Sequence, residues 1–171
     1  MKRYVTLMTL LTLFSLSRVA AAEVQLEIEL PRLDVAEYHP PYVAVWLEDS
    51  QRQAEHIAVW YDIAMRDGEG KEWLKDMRQW WRRGGRSLDL PIDGVTGATK
   101  GPGTHTINSQ LNRVLSTLPA GDYVLNVEAS REVGGREVLR LPLTLPLETT
   151  VLPLETKGER ELARITLTAQ N

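Results

Sequence analysis

Between Gly84 and Gly103 the chain gathers Gly84, Gly85, Gly94, Gly97, Gly101 and Gly103 with Pro91 and Pro102 around the run Asp93-Gly94-Val95-Thr96-Gly97-Ala98-Thr99-Lys100. A run of turn formers is ordinarily a surface loop, but a threonine preceded by Gly and Ala is also an accessible hydroxyl. On its own that hydroxyl is a poor nucleophile, so chemistry at Thr99 calls for a second enzyme that brings a base or a metal to it. Gly97 and Ala98 keep the approach free of bulky side chains, and the neighbouring glycines allow the loop to leave its scaffold. Asp93 offers such an enzyme an acidic contact. A phosphate placed on Thr99 would find backbone N–H groups of the glycine-rich turn and Lys100 as its counter-charge.

The seven residues resemble the acceptor motif of bacterial proteins modified by the FAD:protein FMN transferase, which runs Asp, two loose positions, Ser or Thr, Gly, Ala, then Ser or Thr. Here these are Asp93, Gly94-Val95, Thr96, Gly97, Ala98 and Thr99. The resemblance implies FMN joined through a phosphoester to Thr99, the transferase as a partner, and an electron-transfer role. A wider similarity carries Pro41 to Asp49 (PYVAVWLED), Trp73-Leu74-Lys75-Asp76 with Trp80-Trp81, Asp93 to Thr106, and Leu118 to Tyr123 (LPAGDY). Over Val24 to Leu145 it resembles the predicted periplasmic family of domain of unknown function 2271. That family accompanies flavin-transfer and membrane redox components, which implies membrane or periplasmic redox partners.

Within that reading Trp73, Trp80 and Trp81 could stack on an isoalloxazine ring, although a tryptophan stripe at helical spacing is in most cases a packed helix face. Adjacent Trp80 and Trp81 cannot both point inward, so one of them is the better stacking candidate. His105, six residues after Thr99, could contact the flavin or its phosphate, or could be structural. Arg78, Arg82, Arg83 and Arg86 either solvate an exposed face or attract an anionic cofactor. His39, His56 and His105 have no paired metal-ligand spacing, so no metal site is expected. No nucleophile-elbow pattern or flagged pair of carboxylates points to hydrolysis.

The scaffold that must position these residues reads as mainly β. Val24 to Leu30 alternates apolar and polar residues, the period of a half-buried strand. Tyr42 to Leu47 is apolar throughout, as a strand covered on both faces would be, and Ile57 to Ile63 repeats it. Tyr123 to Ala129 and Leu139 to Leu145 read as a hairpin, with Gly134-Gly135 supplying positive φ at the turn. Pro142 and Pro146 place its second arm at a sheet edge. Ala163, Ile165, Leu167 and Ala169 form a last strand. One amphipathic helix is expected over about Lys71 to Arg83, from the spacing of Trp73, Leu74, Met77, Trp80 and Trp81 and the glycines that follow. The expected fold is an antiparallel β-sandwich of the immunoglobulin or transthyretin type with one helix and a glycine-rich loop.

The 171 residues include no Cys, which excludes disulfide frameworks, zinc ribbons, Fe–S clusters and thiol nucleophiles. Lys2 and Arg3, an apolar stretch to Leu16, and Val19-Ala20-Ala21-Ala22 have the layout of an export signal, with cleavage after Ala22 and a single domain over 23–171. The apolar stretch is shorter than the roughly 20 residues of a membrane span. With 20 basic and 23 acidic side chains the net charge is −3, and loss of Lys2, Arg3 and Arg18 leaves 17 against 23, or −6. No nucleic-acid partner is expected of such a surface. The expectation is a periplasmic flavoprotein carrier without enzyme activity of its own; a cofactor-free binding or assembly module is the alternative.

Overall fold

A computed structural model describes residues 23–170; the export segment expected over residues 1–22 lies outside the described residues. Strands β1 (Val24–Leu30), β2 (Tyr42–Asp49) and β3 (Ala54–Tyr61) are followed by 3-10 turns over Arg66–Asp76 and the short helix α1 (Arg78–Arg82). Then come β4 (Thr96–Ala98), β5 (Gly103–Ile107), helix α2 (Ser109–Thr117), β6 (Gly121–Ser130), β7 (Arg136–Leu145), β8 (Leu154–Lys157) and β9 (Arg164–Ala169). Among the described residues the strands form two sheets, in the orders β5-β1-β9-β8 and β4-β3-β2-β6-β7. Every pairing is antiparallel except β3 with β4, which is parallel. No helix among the described residues is long and apolar enough to cross a membrane.

The period-two pattern of β1 places Val24, Leu26, Ile28 and Leu30 on the inner face of the first sheet, against Val43, Val45, Leu47, Leu125 and Val127 of the second. This shared aliphatic core makes the mainly β sandwich. Burying each such side chain contributes about 1.5–3 kcal/mol before conformational entropy is counted. β2 is apolar throughout because its second face is also covered: Ala44 and Trp46, with Val59 and Tyr61 of β3, lie beneath Leu74, Met77, Trp80, Leu90 and Val95. Leu139, Leu141, Leu143 and Leu145 are buried on β7, which is an edge strand and contains Pro142.

Three local expectations are corrected. The helix read over Lys71 to Arg83 is not continuous: its first part, to Asp76, is 3-10, and Met77 (ψ 71°) separates it from the five-residue α1. A second helix, α2, was not expected; it buries Leu111 and Val114 and is capped by Asn108, whose side chain accepts the Ser109 N–H at 2.6 Å. In the β6–β7 turn the positive φ belongs to Val133 (52°) and not to the glycines. The glycines answer to crowding instead, since a Cβ at Gly134 would lie 2.5 Å from the Arg131 guanidinium and one at Gly135 2.8 Å from Glu161 Oε1.

Candidate functional site

The motif begins as a tight turn. Val95 and Thr96 donate backbone N–H groups to the Ile92 carbonyl at 3.2 and 2.9 Å, and the Thr96 hydroxyl accepts the Ile92 N–H at 2.9 Å. Gly94 takes φ 73° at the turn, a conformation that costs glycine nothing. Thr96 is therefore a turn-closing residue with its oxygen in use, while Asp93 stands exposed at the corner. Asp93 and Thr96 line a surface cleft of about 520 Å³ together with Asp62 and Lys71.

From the turn the chain does not leave the scaffold, contrary to the expected free loop. The Val59 N–H donates to the Val95 carbonyl at 2.8 Å, Thr96 to Ala98 run parallel to Val59–Tyr61, and the Thr99 N–H donates to the Tyr61 carbonyl at 3.2 Å. Of the N–H groups expected to cradle a phosphate, those of Val95, Thr96 and Thr99 are already bonded within the protein. Gly97 is required by its neighbour: a Cβ there would sit 3.0 Å from Trp60 Cδ1. The same indole has Lys100 Nζ 5.9 Å from its centroid and the His105 ring edge-on at 5.9 Å. His105 Nε2 lies 2.8 Å from the Gly101 carbonyl oxygen, which ties it to the loop after the motif. Trp60 thus gathers Gly97, Lys100 and His105.

Thr99 is half-buried at the end of β4, where it lines a cleft of about 230 Å³ with Tyr42, Asp62, Trp73, Asp76 and Arg131. Asp62 lines both clefts and so links the Asp93 and Thr99 ends of the motif. Trp73 is 47% exposed. Burial raises the Tyr42 hydroxyl above its ordinary value of 10.0, against a hydrogen bond with the Asp62 backbone that lowers it, and the group stays a neutral donor. Arg131 has a side chain only 6% exposed and is paired with Glu161 at 2.9 and 3.2 Å. Its remaining Nη1 has no hydrogen-bond partner among the described residues.

Trp80 and Trp81 line neither of the two clefts beside the motif, and one of them packs inward while the other stays partly exposed. Trp80 is fully buried, its Nε1–H donating to His56 Nδ1 at 3.0 Å and its backbone N–H to Glu128 Oε2 at 2.7 Å. Trp81 is half-buried and leans on Trp80, with ring centroids 6.3 Å apart. The break at Met77 is the reason: without a continuous helix, residues 73 and 80 do not share a stripe, and only Trp73 reaches the Thr99 cleft. Arg83 is held by Glu48 at 2.8 Å, and Arg78, Arg82 and Arg86 are exposed away from the cleft lining.

Tyr42, Trp60, Asp62 and Arg131 belong to the site and were missed by the sequence reading. Tyr42 and Trp60 fall in strand runs whose apolar character reads only as core, and Arg131 reaches the site through a hairpin turn distant in sequence. No curated protein and no solved structure matches the chain. The family described as predicted periplasmic protein, domain of unknown function 2271, matches residues 23–164. The match takes in β1 to β8, the turn at Ile92 and the Thr99 cleft, and the chain therefore belongs to this family of predicted periplasmic proteins.

Proposed function

We propose that this chain carries FMN esterified to Thr99 and serves as an electron carrier for membrane or periplasmic redox partners. The observation that carries the reading is the placement of Thr99. The residue that ends the acceptor motif stands at the end of an edge strand, on a cleft with two aromatic side chains, Tyr42 and Trp73. The other motif hydroxyl, that of Thr96, is committed to the Ile92 N–H.

Attachment by the FAD:protein FMN transferase is a phosphoryl-type transfer. The Thr99 Oγ forms the new P–O bond to the FMN half of FAD, the pyrophosphate P–O bond breaks, AMP leaves, and the hydroxyl proton passes to the enzyme's base. The bound flavin would supply reversible electron uptake, chemistry that belongs to the cofactor. The chain's own residues tether and orient. Tyr42 and Trp73 offer faces for offset stacking, and the buried Arg131 Nη1–H is a donor in want of an acceptor. The cleft, at about 230 Å³, is smaller than the roughly 300–1,000 Å³ of sites that enclose a ligand. Such a surface covers a flavin on one side only, and retention then depends on the covalent bond.

Co-expression with the transferase, followed by intact mass and visible absorption of the exported protein, tests this. The expected result is a gain of one FMN less water and a yellow protein, with Thr99→Ala folded and colourless. A colourless, unmodified native chain would favour the cofactor-free binding module instead.

A further inference from the structure

The geometry of β4 points to how a modifying enzyme would reach Thr99: we infer that it adds a strand of its own to the open edge of β4 and leaves the β3–β4 pairing intact. The inference rests on Thr99 being the FMN acceptor. In a parallel ladder alternate residues turn their backbone groups toward opposite sides. The bonds Val59 N–H to Val95 and Thr99 N–H to Tyr61, with the register Val59 opposite Thr96 and Tyr61 opposite Ala98, fix which residues face β3. Val95, Gly97 and Thr99 do; Thr96 and Ala98 face the other way. The Thr96 N–H is taken by Ile92. The Thr96 carbonyl, the Ala98 N–H and the Ala98 carbonyl are left in a row on the open edge, ending one residue before the acceptor.

That edge is unpaired among the described residues, since β4 ends its sheet, and Ala98 is exposed. Unpaired strand edges are templates for strand addition, and proteins usually block them. The opposite edge of this same sheet is blunted by Pro142 on β7, whereas Thr96–Ala98 carries no such block. Small side chains suit a close-fitting partner strand there. The alternative, in which β4 peels away into the enzyme, would break the β3–β4 ladder and uncover the buried Val95 and the Trp60 face that packs on Gly97. Addition in place requires neither. The partner is thus an extended segment of the transferase whose backbone complements one N–H and two carbonyls.

The test uses the full exported chain with the transferase and FAD, reading the initial rate of FMN incorporation by intact mass. Ala98→Pro removes the outward N–H without touching the β3 side, and its incorporation rate is expected to fall at least about tenfold. Amide hydrogen exchange on the Thr99→Ala chain bound to the transferase gives an independent reading: the Ala98 amide slows at least about tenfold, while the Gly97 and residue 99 amides keep their protection. Equal rates for the native and Ala98→Pro chains, or an Ala98 amide that exchanges as in the free chain, would each overturn the inference alone. Absence of incorporation into the native chain would overturn the acceptor reading, and this inference with it.

Discussion

The two faces of the five-stranded sheet are covered in different ways. The inner face meets the other sheet through aliphatic side chains at regular two-residue spacing, and its packing depends on apolar area with little demand on orientation. The outer face lies under an irregular cover of 3-10 turns and α1, pinned by directed contacts. Glu128, fully buried on β6, accepts the backbone N–H groups of Gln79 and Trp80 at 3.1 and 2.7 Å and a guanidinium N–H of Arg136 at 2.7 Å. His56 accepts the Trp80 indole N–H. The regular face makes a closed core. The cleft lies where that cover, through Trp73 and Asp76, meets Tyr42, Asp62 and Thr99 at the strand ends and Arg131 of the β6–β7 turn.

The largest effect should come from the pin itself. Glu128→Ala strands two backbone N–H groups of the cover and frees Arg136, and a loss of about 3 kcal/mol is expected in urea unfolding. If the cover were held by apolar contact alone, as the inner face is, the loss would be near that of an exposed substitution.

A smaller effect should follow pH. Burial lowers the His56 pKa below its ordinary 6.5, because the neutral ring is favoured in the folded protein. Between the folded value and 6.5 the unfolded chain binds more protons, so the stability contributed is complete above 6.5 and lost as pH falls below it. Protonation of Nδ1 would also remove the acceptor for Trp80. Unfolding midpoints at about pH 7.5 and about pH 5.5 should separate further for the native chain than for His56→Gln, whose amide oxygen can still accept. Equal separations would detach His56 from the cover's stability.

What the sequence made legible follows the same division. Strand β1 and the β6–β7 hairpin announce themselves because alternate burial imposes a period of two, and β2 because both its faces are buried. Local composition could not reveal the break in the expected helix, since the turn at Met77 accompanies the burial of Leu74, Met77 and Trp80 against β2 and β3, a contact between segments distant in sequence. The α2 stripe of Leu111, Val114, Leu115 and Leu118 was present at helical spacing and was passed over. At the site, the motif resemblance singled out Thr99 over Thr96, but not the turn that occupies the Thr96 oxygen, which is a property of the folded backbone. Trp60 against Gly97, and Arg131 in the cleft, are contacts between distant strands that no short motif records.

The central claim is that Thr99, and not Thr96, bears the flavin. Trypsin releases both in one peptide, Ser87 to Lys100, bounded by Arg86 and Lys100. Fragmentation of that peptide from protein exported alongside the transferase should place FMN less water on Thr99 and leave Thr96 bare. The adduct on Thr96, or a peptide carrying none, would contradict the account.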